Sequence, residues 1–184
     1  ALLLLNDQRQ TLNADALHRY ALEARQLSQR LGNPAQIALA DYLVAYYYVR
    51  NGQLDSALSL CRHQLDQLEK QGQDHSEAWL KLAALQAHIS VKNNKYKEAI
   101  ATFYTTLAKA EKSNDTLMQM VAKNGIGWVN MEMNQSKEAL RWFSLALQTS
   151  ANPVLHQKNA NIYSNKAALY TAANQFDSAD KYIN

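Results

Sequence analysis

Tyr42-Leu-Val-Ala-Tyr-Tyr-Tyr-Val-Arg-Asn-Gly-Gln-Leu-Asp-Ser-Ala57 recurs three times further along the chain without a gap. The copies are Ala84-Leu-Gln-Ala-His-Ile-Ser-Val-Lys-Asn-Asn-Lys-Tyr-Lys-Glu-Ala99, Asn124-Gly-Ile-Gly-Trp-Val-Asn-Met-Glu-Met-Asn-Gln-Ser-Lys-Glu-Ala139 and Ser164-Asn-Lys-Ala-Ala-Leu-Tyr-Thr-Ala-Ala-Asn-Gln-Phe-Asp-Ser-Ala179. One column is always alanine: Ala57, Ala99, Ala139 and Ala179. Twelve residues earlier a second column is always small: Ala45, Ala87, Gly127, Ala167. A weaker copy, Asp15-Ala-Leu-His-Arg-Tyr20, places Ala16 one such step before Ala57. Two columns that keep one period of about 40 residues mark an internal repeat, whose members bury a core only by stacking on their neighbours.

Composition agrees. The 184 residues are 47% hydrophobic and 19% charged, enough for one domain with a real core. They include 5 Gly and 2 Pro, where average usage gives roughly 13 and 9. Such a shortage of turn residues argues against a sandwich or barrel and for long helices. No apolar run approaches the length of a membrane span, so no membrane insertion is expected. The net charge of +3 is spread in short runs, which argues against a nucleic-acid face. Cys61 is the single cysteine, so neither an internal disulfide nor a thiolate metal cluster can form. That is compatible with the cytoplasm and with the periplasm. The opening Ala1-Leu2-Leu3-Leu4-Leu5 is too short for a signal peptide's apolar region and reads as a helix end. With Asn184 falling inside a repeat, the chain is read as a piece of a longer protein.

Each repeat reads as two antiparallel helices. Polar turns lie between the columns: Asn51-Gly52-Gln53, Asn93-Asn94-Lys95, Asn134-Gln135-Ser136 and Asn174-Gln175-Phe176. Gly and Asn accept the left-handed backbone that ends a helix. Asn33-Pro34 and Asn152-Pro153 set Asn as an N-cap before a first-turn proline; Asp74-His75-Ser76 and Asn114-Asp115 cap the other joints. The expected division is a partial repeat 1–32, then repeats 33–73, 74–113, 114–151 and a truncated 152–184, about nine helices in all. One turn behind the alanine column, Cys61, Phe103, Phe143 and Ile183 fill the core.

This pattern resembles the tetratricopeptide repeat (TPR) over nearly the whole chain. Ile126-Gly127 matches the family's Leu–small pair, Tyr48 and Tyr170 its first aromatic, and Ala146 its last alanine. Gln86, Lys166, Ser90 and Asn130 stand where larger apolar residues are usual, and Gln64 and Thr106 replace the last alanine. The long period is similar to that of kinesin light chains, bacterial peptide-pheromone receptors and sensor regions of bacterial signalling proteins. HEAT repeats share the period but lack the alanine–turn–alanine signature. The resemblance implies an all-α, right-handed solenoid of antiparallel helix pairs. It also implies that first helices line a concave face where a protein or peptide binds.

No catalytic or cofactor constellation stands out. The histidines form no His-x-x-x-His pair, Cys61-Arg62-His63 has no nearby third ligand, and Gly125-Ile126-Gly127 lacks the third glycine of a dinucleotide loop. The expectation is a non-catalytic segment with no cofactor and no metal. Counting from the alanine column, the groove residues are Leu39, Tyr42, Tyr46 and Arg50; Lys81, His88 and Lys92; Asn124, Trp128 and Met131; and Asn161, Ser164, Asn165 and Ala168. Tyr42, Tyr46 and Trp128 are hot-spot residue types, and Met131 adds adaptable apolar surface. The asparagines offer a donor and an acceptor to a backbone amide, and Arg50, Lys81 and Lys92 suit acidic groups. Tyr46-Tyr47-Tyr48 point three ways, so at least one is expected to be buried. The carboxylate clamp of chaperone adaptors is not carried over, because Tyr42, Tyr46, Ala84 and His88 occupy neighbouring positions. The function expected is the peptide-binding sensor of a bacterial histidine kinase or transcriptional regulator, or else a free-standing adaptor. An uncapped last repeat also invites pairing with a second copy.

Overall fold

The computed structural model describes residues 13–149 and 159–173, together with 175 and 178. Among the described residues there are eight helices and no strand. They are α1 (Ala14–Arg30), α2 (Pro34–Arg50), α3 (Leu54–Lys70), α4 (Glu77–Lys92), α5 (Tyr96–Lys112), α6 (Thr116–Glu132), α7 (Ser136–Thr149) and α8 (Ala160–Ala172). The opening leucines, the Asn152-Pro153 joint, Asn174, Phe176, Ala179 and Ile183 lie outside the described residues. No described helix is long and apolar enough to cross a membrane.

Local chemistry sets the helix ends. Gly32, Gly52, Gly72, Asn94, Asn114 and Asn134 all have φ between +55° and +73°. Each is the residue that reverses the chain, and only Gly and Asn adopt that backbone cheaply. At the α2 end, Gly52 N donates to Val49 O and Gln53 N donates to Tyr48 O at 2.8 Å, a Schellman closure that satisfies orphan carbonyls. N-caps sit where their side chains predict. Asn33 Oδ1 accepts from Gln36 N ahead of Pro34, Ser76 Oγ from Trp79 N, and Asp115 Oδ1 from Met118 N.

The chain divides into two compact bodies, Ala1–Asn93 and Asn94–Asn184. In the first, α2 packs on α1, α3 and α4, and α3 packs on α4. In the second, α6 packs on α5, α7 and α8, and α7 packs on α8. Within each body sequential helices are therefore neighbours, and the first helices of successive repeats also meet, α2 with α4 and α6 with α8.

The repeat columns form the core. Ala45, Ala57, Ala87, Ala99 and Ala139 have no exposed surface, and Cys61, Phe103 and Phe143 are buried behind the alanine column. In the second body, α6 is keyed between two phenylalanines. A Cβ built on Gly125 would lie 2.3 Å from Phe103 Cε1, and one on Gly127 would lie 2.6 Å from Phe143 Cδ1. Bare Cα positions let each ring press on the α6 backbone. Phe143 also packs with Met120, Ala146, Ile162 and Leu169.

The tyrosine run differs from expectation. Tyr46, Tyr47 and Tyr48 are each half-buried, and among the described tyrosines the buried one is Tyr42. The reason is a seam with α1: His18 stacks on Tyr47 with ring centroids 4.1 Å apart and lies 6.3 Å from Tyr48. The seam shares out the cover that a core position would have concentrated on one ring.

Candidate binding faces

On the first body, the α2 and α4 residues predicted to face a partner fall into two groups. Tyr42 is 6% exposed and Lys81 is 8% exposed, so both are packed in. Tyr42 sits 6.4 Å from the Tyr46 ring, and Lys81 Nζ pairs with Glu77 one turn back. Leu39, Tyr46 and His88 are half-buried, while Arg50 and Lys92 are exposed in the last turns of their helices. His88 is pushed down to about 4 by burial, reinforced by the Lys92 charge, and is therefore neutral at physiological pH.

On the second body, α6 and α8 bring two predicted residues together. Asn165 Nδ2 lies 3.4 Å from Asn124 Oδ1, a long hydrogen bond between residues far apart in sequence. Both are half-buried. One turn on from Asn124, Trp128 Nε1 donates to Glu132 Oε1 at 2.9 Å, and Trp128 and Met131 lie half-buried against the Phe143 cluster. Asn161, Ser164 and Ala168 are exposed on α8. The arrangement offers aromatic and thioether surface beside paired amides, which can hold an apolar side chain and hydrogen-bond a neighbouring peptide unit.

A network that the sequence reading did not single out ties α1, α2 and α3 together. Asp41 is wholly buried on α2. Its Oδ1 lies 2.7 Å from Arg25 Nε, and its Oδ2 accepts from Gln64 Nε2 at 2.6 Å. Burial pushes the Asp41 carboxyl up, against the pull of the Arg25 and His63 charges. The available signal was an acid inside the apolar stretch Ile37–Val44, together with Gln64 at the family's alanine position. Lys166 is likewise buried, within 3.2 Å of Ser144 Oγ. Among the described residues no group of three or more His, Cys, Asp or Glu side chains is placed to hold a metal.

No family model matches the chain. No curated protein matches it either. Solved structures do. BtubC (BKLC) from P. vanneervenii superposes with a TM-score of 0.74 at 19% identity, over 98% of this chain and 74% of that one. A putative kinesin light chain from Podosopora anserina, built of nearly identical TPR-like repeats, superposes with a TM-score of 0.67 at 15% identity, over 99% and 89%. At these identities the likeness is one of fold: this chain is an all-α protein of TPR-type repeats.

Proposed function

We propose that the first-helix faces bind a protein or peptide segment and that these residues carry out no catalysis. The observation that carries the reading is the bridge from Asn124 to Asn165 beside half-buried Trp128 and Met131. Amides fixed by a neighbouring helix lose little freedom on binding, and aromatic residues of this kind supply most of the affinity at protein interfaces. The test is panning of a random peptide library on the chain, followed by titration of the selected peptide. Tyr46→Ala combined with Trp128→Ala is expected to abolish binding while leaving the helical spectrum intact. Undiminished binding by that double variant refutes the face assignment.

On the finer level, the domain serves as the sensor of a bacterial histidine kinase or transcriptional regulator. The long repeat period and the Asn- and Gln-bearing turns support this through their likeness to such sensor regions. Sequencing the reading frame past the codon for Asn184 decides it. A membrane span, kinase or DNA-binding segment upholds the sensor; a helix or two and a stop codon make the protein an adaptor.

A further inference from the structure

Among the described residues six have positive φ, and each follows a helix-end residue of one backbone shape. Those helix-end residues have φ between −94° and −80° and ψ between −8° and 13°. Side chains vary on this constant frame. Leu31, Ser113 and Met133 carry no carboxamide, Gln71 carries one on a longer arm, and Asn93 is followed by another asparagine. Asn51 alone sets a short carboxamide before a glycine.

That pairing has a chemistry of its own. The side-chain Cγ of an asparagine and the backbone nitrogen of the next residue can close a five-membered ring, and a glycine leaves that nitrogen unhindered. Asn51 and Gly52 are both exposed. In the closed turn the Asn51 ψ of 11° points the Gly52 nitrogen away from the side chain, and its N–H donates to Val49 O at 3.2 Å, the long end of the hydrogen-bond range. Ring closure therefore needs the turn to open, and opening at an exposed helix end is among the cheapest local motions of a fold. The chain holds one other Asn-Gly pair, Asn124-Gly125. Gly125 is buried in the middle of α6, and the Asn124 carboxamide is bridged to Asn165. Its nitrogen comes free only when α6 unwinds.

We propose that Asn51-Gly52 is a self-modification site, converted to aspartate and isoaspartate with water as the sole co-reactant. The Gly52 nitrogen gives its proton to a base in the solvent and bonds to Asn51 Cγ. The side-chain nitrogen takes a proton back and leaves as ammonia, which closes a succinimide. Water then adds to one of the two ring carbonyls. Breaking the Cγ–N bond gives aspartate; breaking the bond from the backbone carbonyl carbon to the Gly52 nitrogen gives isoaspartate. The net change is carboxamide plus water to carboxylic acid plus ammonia. Isoaspartate adds a methylene to the backbone of the turn that Gln53 N closes on Tyr48 O, and its carboxylate opposes the dipole at the α2 end. The turn between α2 and α3 is loosened.

The test is incubation of the full chain in mildly alkaline buffer, followed by peptide mass mapping and enzymatic methylation specific for isoaspartate. Asn51 is expected to convert at least roughly tenfold faster than Asn93, Gln71 or Asn124, because a frayed helix end costs far less than global opening. In urea Asn51 and Asn124 should convert at similar rates. Gly52→Asn, which rebuilds the Asn93-Asn94 turn, should bring Asn51 down to the rate of Asn93. The purified isoaspartate form should melt roughly 2–4 °C below the parent. Conversion at Asn51 no faster than at Asn93 or Asn124 in the folded chain overturns the site, as does a folded chain that stays unmodified while the urea-unfolded chain converts. An unchanged rate in Gly52→Asn overturns the role of the Gly52 nitrogen. An unchanged melting temperature overturns the loosening of the turn.

Discussion

Gly125→Ala sets two effects of opposite sign against each other. In a helix interior, alanine is favoured over glycine by about 1 kcal/mol, so an exposed site would gain stability. Position 125 is not exposed. The new Cβ would meet Phe103 Cε1 at 2.3 Å, Cζ at 2.4 Å and Cδ1 at 2.6 Å. Ordinary carbon contacts begin near ~3.5 Å, so the ring must retreat by about 1 Å. Phe103 is 3% exposed, so its ring has little room to retreat without moving α5 or α6. Overpacking of this kind costs about 1–3 kcal/mol, and three close ring atoms place it in the upper half. The net expectation is a loss of about 1–2 kcal/mol, or roughly 2–8 °C in Tm for a chain of this length. The assay is urea unfolding followed by circular dichroism, run as a double-mutant cycle with Phe103→Leu. That second change alone leaves a gap and destabilises; in the Gly125→Ala background it relieves the clash. The coupling should be favourable by at least about 1 kcal/mol. A Gly125→Ala protein more stable than its parent, or a cycle with no coupling, refutes the interlocked packing of α5 on α6.

Other outcomes follow from the buried polar groups. His88 folds as neutral imidazole with its pKa pushed down to about 4, whereas in the unfolded chain it titrates near ~6.5. The unfolded state takes up the proton first, so stability is full above that value and falls as pH drops toward 4, by at most about 3 kcal/mol; His88→Gln should flatten this slope in melts across that range. Arg25→Ala leaves the Asp41 carboxylate buried without its counter-charge. Because Arg25 is 40% exposed, the loss should be roughly 1–3 kcal/mol at neutral pH. Burial already raises the Asp41 pKa, and removing Arg25 raises it further. The variant's deficit should therefore shrink as pH falls through the folded pKa and the group becomes neutral; a deficit independent of pH refutes the pairing. Cys61 is fully buried, and burial pushes its thiol up to about 12. It should resist alkylation in buffer and react at the rate of unfolding in urea, measured by mass; prompt labelling in buffer refutes its burial.

The helices and their ends were legible in the sequence because they depend on local chemistry. Gly52, Asn94 and Asn134 reverse the chain through their own backbone freedom, and Asn33-Pro34 caps α2 within one turn. The alanine and small columns were legible because close helix approach recurs at every repeat. Side-chain placement across helices was harder to read. Tyr42 and Tyr46 are one turn apart and look alike in sequence. Positions i and i+4 do not quite eclipse on a helix, and that offset turns Tyr42 toward the core. Lys81 could have been paired with Glu77 from their spacing alone. Asp41 could not have been paired, because Arg25 lies on the helix before it and Gln64 on the helix after it. No spacing rule links three helices, and the pairing exists only once they have packed.

The two glycines of α6 also bear on whether the repeats are interchangeable parts. Aligned on the alanine column, Leu43 and Ala45 of α2 correspond to Gly125 and Gly127 of α6. Moving α2 into the place of α6 would set those side chains under the rings of Phe103 and Phe143. The same columns trade volume elsewhere: Cys61 corresponds to Phe103, and Leu85 to Gly125, so a small residue in one column goes with a large one in the other. Each first helix is therefore cut to fit the second helices beside it. Duplicating or shuffling single repeats of this chain should fail unless the flanking column residues travel with the transplanted helix.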